Sequence, residues 1–279
     1  MKLKFTKMHG CGNDYIYIDC FSQTLENPEE LSIALSRPHF GIGADGIILI
    51  CPSDIADAKM RIFNQDGSEG KMCGNGIRCV GKYLYDSGRI KNKVIFVETL
   101  SGVKRLELHL TQDKVDTVTV NMGKAELASK KLPVLLPYER VINKTVIIGE
   151  NEQKITCVSM GNPHCVVFRD SLENLAIEEE GQQFEFSPLF PERVNTEFIR
   201  VLGTNELQMR VWERGSGETL ACGTGACAAA VAAVENGFCS KNEDICVHLR
   251  GGDLTIRYTE DAVFMTGKAQ TVFYGEIEL

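Results

Sequence analysis

The sequence predicts an α/β (α+β) fold made of two pseudo-symmetric halves, each with a β-sheet wrapped around one helix. Strand-like segments outnumber helical ones along the 279-residue chain. A single shift of 149 positions places Cys222 on Cys73, since 222 − 73 = 149, and brings many other special residues into register. A nearly uninterrupted apolar run follows Cys222, and alanine, which dominates it, is the best helix former. Two copies of one supersecondary unit account for these observations.

The first half contains strands, a short helix at 31–35 and one longer helix. Helical periodicity runs from Ile77 to Tyr85 and stops at Gly88, a plausible residue just past a helix C-terminus. The glycines of the segment GIGADG have the spacing of a dinucleotide fingerprint. A β-like IILI follows them where that fingerprint requires a helix, so we discard a dinucleotide site. The strand candidates of this half, separated by turns, are 3–8, 15–19, 47–50, 59–63, 94–97, 104–110 and 115–120.

The second half repeats this layout, and the repeat predicts a division of the chain into 1–120 and 121–267. The linker between the halves is expected near 121–131. The sequence leaves open whether the strand-like end, 268–279, completes the first half. The residues that coincide under the 149-residue shift are Met60 and Met209, Arg61 and Arg210, Glu69 and Glu218, Gly74 and Gly223, Gly76 and Gly225, Gly88 and Gly237, Gly102 and Gly251, and Gly12-Asn13 with Gly161-Asn162.

Cys222 lies where a glycine-rich loop enters the alanine-rich segment, so we expect it at the start of a buried helix. Backbone N–H groups at a helix start are unpaired and partially positive, which favours a thiolate and can bind an anion. The segment alone is equally compatible with a small core cysteine before a packing helix. The repeat favours chemistry, because two halves packed face to face would direct both thiols into one cleft.

Two opposed thiols suit the inversion of configuration at a carbon atom. One thiolate removes a proton, and the other thiol delivers a proton to the opposite face of the flat carbanion. The α-hydrogen of an amino acid is a very weak acid, so the carbanion and its carboxylate need electrostatic support in a closed cleft. We expect this support from the backbone N–H groups at the two helix starts, those of Gly74, Asn75, Gly223 and Thr224.

The motifs MHGCGNDY, GIGADG, FNQDGSEGKMCGNGIRC, MGNPHC, RVN and ERGSGETLACGTGA follow one another along the whole chain and resemble those of the diaminopimelate epimerases. The resemblance implies a cofactor-independent enzyme that interconverts LL- and meso-2,6-diaminopimelate for lysine and peptidoglycan synthesis. It also implies barrel-like sheets around the central helices and a homodimer. The catalytic thiols of the family match Cys73 and Cys222. Its substrate ligands match Asn13, Asn64, Asn162, Asn195, Glu213 and Arg214, and His164 matches a histidine that influences the ionisation of the cysteines.

These matches agree with the chemistry of a substrate that carries an amino-acid group at each end. Arg214 can take a carboxylate in two parallel hydrogen bonds, and Glu213 can accept from an ammonium group. Taken singly, asparagines beside glycines are typical turn residues, a lone histidine is often structural, and Glu-Arg pairs are often solvated. Many family members carry glutamine where this chain has Gly46, so a side-chain contact from that position is missing. Glu69 and Glu218, four residues before the cysteines, are open to a helix-capping role.

Composition argues against several other classes of protein. The net charge is −8 and the chain has no long basic run, which argues against nucleic acid or an anionic membrane as a partner. No apolar run approaches the roughly 20 residues needed to span a bilayer, and the first residues lack the apolar core of a signal peptide. The 11 cysteines include no C-x-x-C pair. We therefore expect reduced thiols in a cytoplasmic protein, and no metal site.

Three other functions stay open on the sequence. The nearest is racemisation of another amino acid, such as proline or histidine, by the same two thiols, although such a substrate needs no second carboxylate clamp. A redox protein that cycles a Cys73–Cys222 disulfide is the second. A phosphate-binding module at the glycine-rich helix starts is the third, and it leaves the paired cysteines unexplained.

Overall fold

The structure, a computed structural model, describes residues 2–278. Met1 and Leu279, which the predicted ranges 1–120 and 268–279 include, lie outside the described residues. The chain divides into two compact units. Unit 1 contains the residues up to Asn121 together with those from Thr266 onward, and unit 2 is Met122–Met265.

The described residues form eighteen strands and four α-helices. In chain order these are β1 (Lys2–Gly10), β2 (Asn13–Asp19), α1 (Pro28–Ser36), β3 (Gly46–Cys51), β4 (Ala58–Asn64), β5 (Glu69–Gly70), α2 (Gly74–Asp86), β6 (Val94–Thr99), β7 (Gly102–Thr111), β8 (Lys114–Gly123), β9 (Lys144–Ile148), β10 (Asn151–Ser159), β11 (Pro163–Phe168), α3 (Ile177–Glu185), β12 (Asn195–Gly203), β13 (Glu206–Glu213), β14 (Gly217–Thr219), α4 (Gly223–Glu235), β15 (Asp244–Leu249), β16 (Gly252–Tyr258), β17 (Val263–Lys268) and β18 (Gln270–Glu278). Within residues 2–278, no helix has both the length and the apolar character that crossing a membrane requires.

The helices agree with the sequence prediction except at α3. Helix α2 is followed by Gly88 with a positive φ of 77°, so the predicted glycine stop is confirmed. Helix α1 extends beyond the predicted 31–35 at both ends. The sequence does not single out α3, because its segment IEEEGQQFE is mostly polar and only a narrow stripe of it is buried. The predicted linker at 121–131 holds the end of β8 and a short 3-10 turn at Ser129–Lys131.

The two units repeat one order of elements under the 149-residue shift. Helices α1 and α3 begin at Pro28 and Ile177, and α2 and α4 begin at Gly74 and Gly223, so each pair differs by 149. The predicted repeat is therefore confirmed at the level of secondary structure. In unit 1 the pairs β1–β2, β2–β3, β3–β4, β4–β6 and β6–β7 alternate between antiparallel and parallel, beginning with antiparallel. In unit 2 the pairs β10–β11, β11–β12, β12–β13, β13–β15 and β15–β16 alternate in the same way.

The C-terminal segment belongs to the sheet of unit 1. Strand β18 pairs antiparallel with β1 over nearly its whole length, from Lys2 opposite Glu278 to His9 opposite Gln270. The hydrogen bonds of β1 are therefore shared between β18 on one side and β2 on the other.

Helix α4 forms the core of unit 2. All side chains from Ala226 to Ala233 are completely buried. The helix contacts six strands of its own unit, namely β10, β11, β12, β13, β15 and β16. Alanine side chains let these strands approach the helix from every direction at the packing density of a protein interior. Helix α2 contacts β1, β2 and β7 in unit 1. The predicted fold class, a mixed α/β fold with sheets around central helices, is confirmed.

Candidate active site

Each of the two predicted catalytic cysteines caps the N-terminus of a helix. Cys73 precedes α2, and its Sγ accepts a hydrogen bond from the Gly76 N–H at 3.3 Å. Cys222 precedes α4, and its Sγ accepts from the Gly225 N–H at 3.4 Å. Both cysteines have the extended backbone angles of N-cap residues. The predicted position of both thiols at a helix start is confirmed.

The glycine at the third position of each helix makes room for the sulfur and for a strand below it. A β-carbon on Gly225 would lie 3.3 Å from the Cys222 Sγ and 2.7 Å from the Glu197 Oε1. A β-carbon on Gly76 would lie 2.6 Å from the Ile48 Cδ1. The C-G-x-G pattern in both repeats therefore follows from close packing at the helix start.

The thiol of Cys73 is hydrogen-bonded to an oriented amide. Its S–H donates to the Asn13 Oδ1 at 3.2 Å, and the Asn75 Nδ2 approaches the same oxygen at 3.5 Å. The Asp45 Oδ2 accepts from the Asn13 Nδ2 at 2.6 Å and from the Asp14 N–H at 3.1 Å. Asp45 thus fixes the Asn13 amide with its oxygen toward Cys73.

The thiol of Cys222 is 5% exposed and faces two carboxyl groups. Burial raises its pKa well above the ordinary value, and the charges of Glu213 and Glu197 raise it further. The Thr224 hydroxyl, 3.5 Å from the sulfur, and the Gly225 N–H lower the pKa by less. The expectation that the helix start favours the thiolate is therefore wrong for Cys222, because lost hydration and two negative charges outweigh one helix terminus. Cys222 is a protonated thiol near neutral pH.

Glu213 lies beside this thiol as a partly buried hydrogen-bond acceptor. The Thr219 hydroxyl donates to the Glu213 Oε1 at 2.5 Å. Burial raises the pKa of Glu213, while hydrogen bonds from Thr219 and Cys222 and the charge of His164 lower it. A cationic ligand would remove the cost of this buried charge, so the site suits an ammonium group.

His164 is 1% exposed and lies between Glu197 and Asn162. Its Nδ1 is 2.7 Å from the Glu197 Oε1, and its Nε2 is 3.0 Å from the Asn162 Oδ1. The Asn162 Nδ2 donates to the Thr224 Oγ1 at 3.2 Å. Asn162, His164 and Thr224 are therefore linked to Cys222 by a continuous series of contacts.

Asn195 holds the backbone at Arg214. It is 3% exposed, its Oδ1 accepts from the Arg214 N–H at 3.0 Å, and its Nδ2 donates to the Pro163 carbonyl at 3.1 Å. The Arg214 side chain is exposed, and its Nη1 donates to the Glu192 carbonyl at 2.9 Å. A guanidinium has five N–H donors, so this contact leaves donors for a carboxylate.

The strand pair β3–β4 explains the glycine at position 46. Gly46 lies opposite Asn64, and a β-carbon on Gly46 would lie 2.0 Å from the Phe63 carbonyl oxygen. A glutamine here would require the backbone to shift. The close approach of β3 and β4 therefore accounts for the glycine that this chain has in place of the common glutamine. The amide of Asn64 is oriented within its own loop, where Nδ2 donates to the Ser68 Oγ at 3.0 Å.

One group of side chains within residues 2–278 has the spacing of metal ligands. The ligand atoms of Cys246, His248 and Asp253 lie within 4.8 Å of one another. The His248 Nδ1 is 2.8 Å from the Asp253 Oδ1, and Nε2 is 3.0 Å from the Glu206 Oε1. These two carboxylates raise the pKa of His248. An imidazolium bridging two carboxylates at the surface accounts for the group, and we assign it no metal.

The raised pKa of Cys222 predicts slow alkylation of this thiol near neutral pH. In a Cys73→Ala variant, the rate of Cys222 carbamidomethylation by iodoacetamide is expected to keep rising above pH 9, because only the thiolate reacts. Peptide mass spectrometry over a pH series measures this rate. The urea-unfolded chain is the control, since its thiols return to their ordinary pKa. A plateau of the folded protein below pH 8 would contradict the assignment.

Residues 5–128 and 156–272 match the family model described as diaminopimelate epimerase. The chain belongs to the diaminopimelate epimerase family. It is 52% identical over 279 residues to the diaminopimelate epimerase of Acetivibrio thermocellus, with 99% of each chain covered. It is 50% identical to that of Methanococcus maripaludis, with 99% of this chain and 100% of the relative covered. The resemblance identified in the motifs is confirmed.

Solved structures of other epimerases and racemases share the fold. A probable proline racemase from Agrobacterium radiobacter matches with a TM-score of 0.72 at 16% identity, over 99% of this chain and 93% of that chain. A hydroxyproline epimerase from Agrobacterium vitis matches with a TM-score of 0.68 at 17% identity, over 100% of this chain and 93% of that chain. At these identities the likeness supports the fold class and nothing finer.

Within each unit, several of the predicted site residues are in contact. In unit 1 these are Cys73, Asn13 and Asn75, with Gly74 as the first residue of α2, whereas Asn64 is hydrogen-bonded to Ser68. In unit 2 these are Cys222, Thr224, Asn162, His164 and Glu213 around one thiol, with Gly223 as the first residue of α4, and Asn195 with Arg214 as a second contact. Their roles toward a substrate remain predictions.

The two glutamates that precede the cysteines do not cap the helices. Glu69 forms two hydrogen bonds with Arg61, the shorter at 2.7 Å, and Glu218 forms two with Arg210, the shorter at 2.8 Å. The helix caps are the cysteine sulfurs instead.

Three further partners of the site are not indicated by the sequence: the buried Glu197, the half-buried Thr219 and the exposed Asp45. Asp45 lies within the motif GIGADG, which the resemblance includes. Glu197 is an acidic residue in the otherwise uncharged first half of β12, and such a position is rarely buried without a partner. Thr219 carries no comparable signal, because a threonine in a short strand is common.

Proposed function

We propose that this chain is a cofactor-independent diaminopimelate epimerase, which interconverts LL- and meso-2,6-diaminopimelate. The observation that carries the proposal is the pair of cysteines at equivalent helix starts of the two repeats, in a chain that belongs to this family. A thiol at such a position can exchange a proton with an α-carbon while the helix N-terminus stabilises developing negative charge.

Cys73 and Cys222 are proposed to act on opposite faces of one α-carbon. In one direction the Cys73 thiolate takes the α-proton and becomes a thiol, and the carbanion takes a proton from Cys222, which becomes the thiolate. Cys222, kept protonated by burial and two carboxylates, is the acid of this direction. The roles exchange in the reverse direction, so no net proton is consumed and no cofactor is needed.

The α-carboxylate is proposed to bind at the first turns of α2 and α4. The first four N–H groups of a helix have no acceptor within it. The cysteine sulfurs accept from the third residues, Gly76 and Gly225. We expect the N–H groups of the first two residues of each helix, Gly74 and Asn75 in α2 and Gly223 and Thr224 in α4, to bind the substrate carboxylate.

The distal amino-acid group is proposed to bind side chains of several strands and loops. Arg214 supplies a fork of donors for its carboxylate, and the partly buried Glu213 accepts from its ammonium group. Asparagine offers both a donor and an acceptor, so a set of oriented amides can read one stereocentre. That set is Asn13, Asn64, Asn162 and Asn195.

The pathway, the compartment and the oligomeric state complete the proposal. The substrate is an intermediate of lysine and peptidoglycan synthesis, so we place the enzyme in the cytoplasm, with diaminopimelate as its partner and neither nucleic acid nor membrane. A homodimer is proposed from the family resemblance. Strand β18 carries exposed apolar side chains that such an interface could bury, among them Val272 (56% exposed) and Tyr274 (76% exposed).

Substrate identity is tested by comparing single compounds in deuterium oxide. We expect ¹H NMR to show loss of the α-proton signal and formation of the other stereoisomer with LL- or meso-diaminopimelate, and no exchange with L-proline or L-histidine. The reason is that these two amino acids have no second carboxylate for Arg214. Exchange at the α-carbon of proline or histidine, without exchange in diaminopimelate, would establish the alternative function of an amino-acid racemase.

A further inference from the structure

A buried Glu197–His164 pair lies beneath the start of α4. Both side chains are 0% exposed, and the Glu197 Oε1 is 2.7 Å from the His164 Nδ1. The same oxygen is 2.7 Å from the position that a β-carbon on Gly225 would occupy. The carboxyl group therefore contacts the first turn of the helix. The second oxygen, Oε2, is buried without a hydrogen-bond partner. Such a pair is costly unless it carries no net charge.

Electrical neutrality fixes where the protons of this pair lie. One proton is shared between Oε1 and Nδ1, whichever atom holds it. If that were the only proton, the pair would bury a net negative charge. A neutral pair has a second proton. It lies on Nε2 rather than on Oε2, because Nε2 is 3.0 Å from the Asn162 Oδ1, which can only accept, and Oε2 has no hydrogen-bond partner. His164 therefore donates to Asn162 from Nε2.

The direction of this hydrogen bond determines the rest of the series up to Cys222. With its oxygen on His164, Asn162 turns its Nδ2 toward Thr224 and donates to Oγ1 at 3.2 Å. The Thr224 hydroxyl accepts there, so its own proton is available to the Cys222 Sγ at 3.5 Å. A hydroxyl donor on the sulfur stabilises the thiolate that forms when Cys222 gives up its proton.

The other repeat shows that the fold does not require this polar pair. Under the 149-residue shift Glu197 corresponds to Ile48 and His164 to Tyr15. A β-carbon of Gly76 would meet the Ile48 Cδ1 at 2.6 Å, as that of Gly225 would meet the Glu197 Oε1 at 2.7 Å. An aliphatic side chain thus fills the equivalent space beneath α2. Replacing buried charge pairs by apolar residues often stabilises a protein, so stability does not explain Glu197.

We propose that Glu197 is a positioning residue for Cys222: it holds the imidazole of His164 with Nε2–H toward Asn162 and thereby directs the Thr224 hydroxyl onto the sulfur. Besides the charge that raises the pKa of Cys222, Glu197 acts by setting the direction of three successive hydrogen bonds. This role rests on the proposed function, in which Cys222 donates and accepts the α-proton.

The proton on His164 is tested without any substrate. In the full chain labelled with ¹⁵N-histidine, the resonance that disappears in a His164→Gln variant belongs to His164, one of five histidines. Its Nε2 is expected to carry a proton, because this nitrogen faces the Asn162 Oδ1. An unprotonated Nε2 would overturn the proposal. Because no turnover is involved, this result stands even if the wild-type protein does not epimerise diaminopimelate, which would count against the proposed function alone.

Kinetics test the connection between Glu197 and the thiol. Glu197→Gln removes the fixed proton arrangement but keeps the shape, and kcat is expected to fall about 10- to 100-fold with KM changed less than about threefold. Thr224→Val removes the last donor and is expected to act similarly. Because both changes interrupt one series, the double variant is expected to be no slower than the slower single variant.

A matched control distinguishes the specific position of Glu197 from the loss of any carboxylate near α4. Glu235→Gln removes a carboxylate at the opposite end of α4 and is expected to retain wild-type kcat. Circular dichroism establishes that each variant is folded, and the NMR result on the wild type decides the matter if Glu197→Gln fails to fold. Wild-type activity of Glu197→Gln, or losses in the double variant that multiply, would overturn the proposal.

Discussion

Replacing either Cys73 or Cys222 with alanine is expected to lower kcat for diaminopimelate epimerisation by about 10²- to 10⁴-fold, the range typical of a lost general acid or base. Each thiol supplies one of the two proton transfers, and alanine can supply neither. Because alanine also removes the sulfur that caps the helix N-terminus, circular dichroism of each variant checks that the protein is still folded. A coupled assay of meso-diaminopimelate formation measures the loss.

Cys239→Ser is the matched control for these two variants. Cys239 is a half-buried free cysteine shortly after α4 and has no place in the proposed site. Its replacement is expected to leave kcat unchanged. A Cys73→Ala or Cys222→Ala protein with near-normal turnover would show that the reaction does not need two thiols.

The second large effect is expected at Arg214. Replacing it with alanine removes the guanidinium that is proposed to hold the distal carboxylate. One hydrogen bond to a charged group contributes about 1.5–3 kcal/mol, so the net loss of one such bond is expected to lower kcat/KM by about 10- to 150-fold. Arg214→Lys keeps the charge but loses the planar fork, so we expect it to recover only part of the loss.

The separate values of kcat and KM show where the Arg214 contact acts. If it contributes equally to substrate and transition state, KM rises and kcat stays constant. Arg257→Ala is the control, because Arg257 is an exposed arginine of the same unit that pairs with Asp244 on a hairpin. Equal effects of the two substitutions would refute a specific carboxylate contact at Arg214.

Much of the fold follows from local sequence features. The glycine and cysteine positions repeat at one shift because each glycine meets a local constraint, such as the positive φ of Gly88 and Gly237 after the central helices. The helix starts at Cys73 and Cys222 were predictable because a glycine-rich loop precedes a helical pattern. Helix α3 was not, since its buried stripe is defined by Trp212, which packs against Gly181 from a distant strand.

The ionisation of the thiols could not be predicted from sequence. A helix start alone favours a thiolate, and this local rule gives the wrong direction for the pKa of Cys222. The opposing carboxyl groups of Glu197 and Glu213 come from two different strands, and complete burial requires the whole unit to fold. The repeat likewise suggests two equal sites, whereas Glu197 corresponds to Ile48 and makes the two thiols chemically unequal.

The central claim is that two thiols act from opposite faces of the α-carbon, and isotope labelling tests it most directly. LL-diaminopimelate is incubated with the enzyme in deuterium oxide and the reaction is stopped after a few per cent conversion. We expect one deuterium at the inverted carbon of the meso product and protium in the recovered LL substrate. The product takes deuterium from the second thiol, which has exchanged with the solvent. The recovered substrate takes back its own proton from the first thiol. Protium at the inverted carbon, or deuterium entering the recovered substrate as fast as the product, would indicate a single base and contradict the account.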